Sequence, residues 1–159
     1  MNNPNQILTE ALQLQEKLVA WRRELHRIPE VGIYLPKTME FVKKCLEEME
    51  VTYEAYEDIS CIAATIGKGE KCFLLRSDMD GLPVTEEAEL PFKSVNGCMH
   101  GCGHDMHTAI LLGAAKILKG QEETLKGTVK LLFQSGEEVF QGAKGIGKAE
   151  VRILLYGTD

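Results

Sequence analysis

The stretch Thr108-Ala109-Ile110-Leu111-Leu112-Gly113-Ala114-Ala115-Lys116-Ile117-Leu118-Lys119 decides the fold. At helical pitch its apolar side chains fall on nearly every side, and a helix with so little polar surface belongs in an interior, against a sheet. Strands to form that sheet lie on both sides of it in the chain. Gly127 opens an apolar run over residues 128–133. Two shorter runs rich in apolar and β-branched residues, 62–66 and 72–75, flank the turn Gly67-Lys68-Gly69-Glu70, a pattern that predicts neighbouring antiparallel strands. A further strand is expected over residues 151–156.

Nearer the start, Ile7, Ala11, Leu14, Leu18, Trp21 and Leu25 recur every three or four residues, which predicts one amphipathic helix over residues 6–26. Pro29 stops it, and residues 30–36, with Gly32 and Pro36, form a connection. Met39, Val42, Leu46 and Met49 then mark the buried face of a second helix over residues 37–49. This order of elements gives an α/β layered domain, a mixed sheet flanked by helices. Sites in open α/β sheets gather beyond the carboxyl ends of the strands, so the loops after Leu75, Phe133 and Tyr156 are the places to search.

The 159 residues suffice for one domain with a core, because chains of this size bury roughly two thirds of their unfolded surface. A net charge of −6, with lysines interleaved among acidic residues as in Lys43-Lys44 and Glu47-Glu48, argues against nucleic acid as a partner. No basic segment followed by an apolar stretch opens the chain, and no apolar run approaches bilayer length, so no membrane partner is expected and a cytoplasmic location fits best. Five cysteines, Cys45, Cys61, Cys72, Cys98 and Cys102, leave at least one thiol free and form no regular disulfide framework. Four of them are expected to be small buried or half-buried apolar residues.

Cys102 differs. It lies in His100-Gly101-Cys102-Gly103-His104-Asp105, where imidazole and thiol, good ligands for zinc and similar ions, stand two residues apart. In an extended conformation His100, Cys102 and His104 would share one side. Asp105 is placed to cap the apolar helix, whose amino terminus would favour a thiolate. From the spacing alone, ordinary loop residues remain an equal alternative.

Glu137-Glu138 follows the predicted strand 128–133 and the turn Gln134-Ser135-Gly136. Paired glutamates are usually solvated surface, as expected for Glu47-Glu48, Glu86-Glu87 and Glu122-Glu123. At a strand end, however, adjacent side chains diverge, so that one carboxylate can bind a metal and the other face the attacking water. In Arg76-Ser77-Asp78-Met79-Asp80-Gly81-Leu82-Pro83, Asp78 is the choice for orienting a ligating histidine, with a plain turn before proline as the alternative.

Together, Leu25-His26-Arg27-Ile28-Pro29-Glu30, Arg76-Ser77-Asp78-Met79-Asp80, His100 to Ala109 and Leu132-Phe133-Gln134-Ser135-Gly136-Glu137-Glu138 closely resemble the amidohydrolase branch of the aminoacylase and carboxypeptidase metallopeptidase family, which includes N-acyl amino acid amidohydrolases, hippurate hydrolases and auxin-conjugate hydrolases. The resemblance runs from about Leu12 to Lys144 with the motifs in family order. It implies hydrolysis of the amide bond of small-molecule N-acyl amino acids at a centre of two divalent ions: zinc, manganese, cobalt or nickel. Cys102, His104 and Glu138 would be metal ligands and Glu137 the general base. Gln134-Ser135-Gly136 departs from the family's proline and alanine in the turn before the glutamates.

The resemblance also implies that residues 1–159 are the amino-terminal part of the catalytic domain, without the lid and dimerisation domain and with an incomplete dinuclear site, so that inactivity of this truncated form is one expectation. Asp159 would then fall near a further ligand position. An incomplete sheet would expose an apolar edge and favour association with a second copy or a partner chain. The alternative is a noncatalytic metal-binding or interaction fragment of an interrupted gene, although a structural zinc site ordinarily takes four protein ligands. A thiol redox protein using Cys98 and Cys102 is disfavoured because the spacing is not Cys-x-x-Cys. His26, His100 and His107 lie near the motifs without an assigned role.

Overall fold

Leu131, Leu132 and Phe133 are the residues around which the sheet is built, for side chains alternating in direction are buried on both of its faces. They belong to β4 (Thr128–Gln134). The computed structural model describes residues 4–146. The other strands are β1 (Thr52–Tyr56), β2 (Cys61–Gly67) and β3 (Cys72–Asp78), in the order β1-β2-β4-β3. β4 runs antiparallel to β2, opposing Leu131 to Ala64, and parallel to β3, opposing Leu131 to Leu75.

The sheet is mixed, as expected, but β2 and β3 are not neighbours. β4 enters between them because its apolar residues gain burial from both sides, whereas a simple hairpin would leave it at an edge. The entry is tight. Gly127 passes so close to the turn that a Cβ there would lie 2.5 Å from the Lys71 carbonyl oxygen, and a Cβ on Gly67, at φ +77°, would lie 2.6 Å from the Gly127 carbonyl oxygen. Only glycine fits at this crossing. β1 was not anticipated, although Thr52, Tyr53 and Tyr56 suit a strand.

One sheet face carries the helices α2 (Gln15–Arg27), α3 (Pro36–Glu48) and α4 (His104–Gly120). Trp21, Leu25, Met39, Val42, Leu46, Ala109 and Leu112 pack there with Ile62, Ala64, Ile66, Leu131 and Phe133. On the other face, Ile59, Cys61, Ala63 and Leu132 form a smaller cluster. The expected first helix is divided at Leu14 into α1 (Pro4–Gln13) and α2; Leu14 donates its amide to Ala11 rather than to the fourth residue back. A short helix α5 (Gly142–Ile146) closes the described part.

α4 begins four residues before its expected start, which makes His104 its first residue. It is also less enclosed than its composition suggested: Met106 and Ile110 are exposed while Ala109, Leu111, Leu112 and Ala115 are buried. The expected strand over 151–156, and Asp159, lie outside the described residues. Leu112, fully buried between helices and sheet, gives the first prediction: Leu112→Ala should lower unfolding free energy by about 2–5 kcal/mol. Urea denaturation should show an earlier midpoint with an unchanged slope.

Candidate metal centre

The site begins where β3 and β4 end side by side. Beyond β3, Met79 donates its amide to the Gln134 carbonyl at 2.8 Å, which extends the strand pairing and directs the next side chain, Asp80, inward. Asp80 is fully buried. Its two carboxylate oxygens accept the consecutive amides of Glu137 at 3.2 Å and Glu138 at 3.0 Å. Gly136 makes this possible by turning at φ +69°, while its carbonyl accepts the amides of Gln141 and Gly142. The Glu137-Glu138 turn is thus held by backbone bonds, and its side chains remain available.

His104 approaches from α4. Its Nδ1 lies 2.8 Å from the Asp80 carbonyl oxygen and 3.5 Å from Asp80 Oδ1, an arrangement in which Nδ1 carries the proton and donates. Nε2 lies 3.9 Å from Glu137 Oε2, and Nδ1 is 3.9 Å from Glu138 Oε1. The ring stacks on His107 at 6.0 Å and 15°. His107 Nδ1 in turn lies 3.5 Å from Asp78 Oδ2, and Asp78 also receives Arg76 at 2.5 Å.

Among the described residues, two groups of potential ligand atoms result, each with its members within 4.8 Å of one another: His104, Glu137 and Glu138; and Asp78, His104 and His107. Glu138 Oε1 is buried without a hydrogen-bond partner. Burying such an acceptor unpaired is unfavourable, which makes the atom a candidate cation ligand. The Glu137 side chain is 42% exposed, against 14% for Glu138, so the two carboxylates diverge as adjacent residues should.

The turn leading into α4 is not extended. Gly103, at φ +81°, turns the chain; His100 and His104 are buried and Cys102 is exposed. The glycine lets the loop enter a helix within one residue, which overrides strand-like alternation. Gly103, and not Asp105, occupies the cap position; Asp105 lies in the first turn and accepts the Met106 amide at 2.8 Å. Cys102 is exposed and belongs to neither group of potential ligand atoms, although its thiol lies near enough to Glu138 to feel that carboxylate.

The electrostatics follow from this concentration of carboxylates. For Asp80, burial alone would raise the pKa, but the bonds from His104 and from the amides of Glu138 and Glu137 outweigh it and hold the group below its usual range. The hydrogen bond to Asp80 raises His104 to about 9 against the opposing effect of burial. Cys102 is also raised, first by its bond to Glu138, then by burial and the charges of Glu138, Glu137 and Asp80. These acids dominate the helix terminus that was expected to favour a thiolate. Burial pushes His100 down to about 4.

Of the expected site residues, His104, Glu137 and Glu138 come together, whereas Cys102 stays exposed and in neither group of potential ligand atoms. Asp78 touches His107, whereas the carboxylate beside His104 is that of Asp80, two residues further on. The strand continues to Asp78, so Asp80 is the residue that turns inward, which short-range spacing did not distinguish. Glu86, expected at the surface, is also buried. Its carboxylate accepts the Ser94 amide at 2.7 Å and contacts His26 Nε2 at 2.9 Å.

Comparison with known proteins accords with this geometry. Residues 74–155 match the model of peptidase family M20/M25/M40. The chain belongs to that family. It is 45% identical to an IAA-amino acid hydrolase (ILR1-like 5) of Arabidopsis thaliana, over 84% of this chain and 31% of that protein. It is 43% identical to an N-acetyl-L-cysteine deacetylase of Bacillus subtilis, over 82% of this chain and 32% of the relative. A solved Bacillus subtilis structure, described as a dinuclear metal binding peptidase from the M20 family, superposes with a TM-score of 0.82 at 35% identity, over 88% of this chain and 40% of the other. This member of the M20 family thus spans about a third of the length of the curated relatives it matches. No helix among the described residues is long and apolar enough to cross a membrane.

The His104–Asp80 pair gives a pH prediction for the metal-free protein. Because the folded-state value near 9 exceeds the ordinary 6.5, the pair's contribution to stability is present in full below about pH 6.5 and is lost as pH rises through about 9. Asp80→Asn should flatten this fall and return the His104 titration towards its ordinary value. Denaturation across that range and NMR titration of the ring measure both effects.

Proposed function

We propose that this chain is the amino-terminal part of the catalytic domain of a metal-dependent amidohydrolase, cleaving the amide bond of N-acyl amino acids at a centre of two divalent ions. The observation that carries the reading is the divergent glutamate pair beside His104, with both amides fixed by Asp80, one carboxylate open and the other buried with an unpaired oxygen. The names of its relatives supply the substrate class: one hydrolyses IAA-amino acids and another deacetylates N-acetyl-L-cysteine.

The donors suit the proposed ions: a thiol, an imidazole and carboxylates are ligands that zinc and similar metals accept. Cys102, His104 and Glu138 would hold the metal. When bound, divalent ions polarise the scissile carbonyl and lower the pKa of water from about 15.7 towards 7. Glu137, the more open carboxylate, takes the proton from the attacking water and returns one to the departing amine nitrogen. Asp80 keeps that base in place through the Glu137 and Glu138 amides. His104, with Nδ1 directed to the Asp80 carbonyl, would bind the ion through Nε2, giving up the proton that nitrogen carries in the metal-free protein.

Metal content and hydrolysis of N-acetyl amino acids by the 159-residue chain test this assignment. Glu137→Gln should retain metal and lower kcat by about 10²–10⁴-fold, whereas Cys102→Ala should lose metal. Full activity in Glu137→Gln, or metal binding indifferent to both Cys102 and Glu138, would contradict it.

A further inference from the structure

Behind the ligand-bearing turn lies a buried polar cluster not used in the proposed reaction. His26, on α2, is 4% exposed and sits between two buried carboxylates. Its Nδ1 lies 2.7 Å from Asp105 Oδ2 and its Nε2 2.9 Å from Glu86 Oε1. Arg22, one turn earlier, lies 2.7 Å from the same Asp105 oxygen. The chain from Ser94 through Glu86 and His26 to Asp105 therefore spans three separate segments: the loop between β3 and α4, the second helix, and the first turn of α4.

Two features link this chain to the site. Asp105 follows His104 directly and accepts the Met106 amide, so whatever fixes Asp105 fixes the turn carrying His104 and Cys102. The long loop is closed at its base by reciprocal backbone bonds between Leu82 and Met99 at 2.9 and 3.0 Å, and Asn96 reaches back to the Pro29 carbonyl at 2.8 Å. Within it, Glu86 is the acid that turns inward. Burying two carboxylates is unfavourable unless each is paired, and apolar residues of equal volume often stabilise a fold better. Such a cluster is understandable where orientation is required.

We infer that His26 and Glu86 are positioning residues, which act through Asp105 to fix the turn at residues 100–106 in the geometry that accepts metal. The inference rests on the metal reading of Cys102 and His104 and assigns a role only to the cluster behind them. Partners that orient metal ligands through hydrogen bonds typically alter affinity about 10–100-fold when removed.

The test uses His26→Gln, Glu86→Ala and Glu86→Gln in the full chain, read by zinc affinity in chelator competition and by amide hydrogen exchange over residues 100–106. Glutamine at position 26 can donate to one carboxylate but turns its carbonyl towards the other. His26→Gln and Glu86→Ala should weaken zinc binding at least about tenfold and speed exchange across residues 100–106. Glu86→Gln, which keeps one acceptor oxygen for either the Ser94 amide or His26 but not both, should restore part of each effect. Parent-like zinc affinity and exchange over 100–106, with loosening confined to residues 83–98, would overturn the inference. So would Glu86→Gln behaving like Glu86→Ala. If His26→Gln does not fold, the two Glu86 variants decide. If the parent takes no zinc, the metal reading fails and exchange over 100–106 alone judges the cluster.

Discussion

The Asp80 carboxylate is the constraint on which the described site depends. Fully buried, it satisfies two consecutive amides from the loop after β4 and lies against the imidazole at the start of α4. Three segments distant in sequence meet at this one side chain. An unpaired buried carboxylate would be strongly unfavourable, so the loop, the helix start and the strand end must arrive together for any of them to be stable. The same bonds that satisfy Asp80 leave the neighbouring glutamate side chains uncommitted. That is how a stable interior comes to present reactive groups at its rim.

The sheet makes this meeting possible. Parallel pairing of β3 with β4 brings their carboxyl ends to the same edge, and α4, packed on the sheet face, delivers His104 to that edge. Had β2 and β3 been neighbours, β4 would have lain outside β3 or beyond β2, with less of Leu131, Leu132 and Phe133 buried. The glycines at positions 67 and 127 permit the close crossing that places β4 in the middle. A constraint on backbone approach far from the site thus determines which loops face one another within it.

Much of this was legible in the amino-acid sequence because it rests on local periodicity. The second and third helices, three of the four strands among the described residues and the apolar core of α4 follow from side-chain spacing. The meeting of His104 with Glu137 and Glu138 was legible from the motifs and from their positions in loops after predicted strands. Strand order was not legible, since the turn at Gly67-Lys68-Gly69-Glu70 suits a hairpin equally well and only long-range burial places β4 between its partners. Asp80 and Asp78 are both acids near a strand end, and only the true strand terminus decides which points inward. Glu86 looked like any surface glutamate because its partner, His26, is 60 residues away.

Family membership narrows the chemistry but does not by itself say which atoms of this chain meet a metal. X-ray absorption at the zinc edge of the zinc-loaded chain addresses that point directly. The site described here predicts one sulfur neighbour at about 2.3 Å among nitrogen and oxygen ligands, with the sulfur lost in Cys102→Ser and the metal largely lost in Glu138→Ala. A zinc environment without sulfur, or one unchanged in both variants, would contradict the assignment of this cluster as the metal centre.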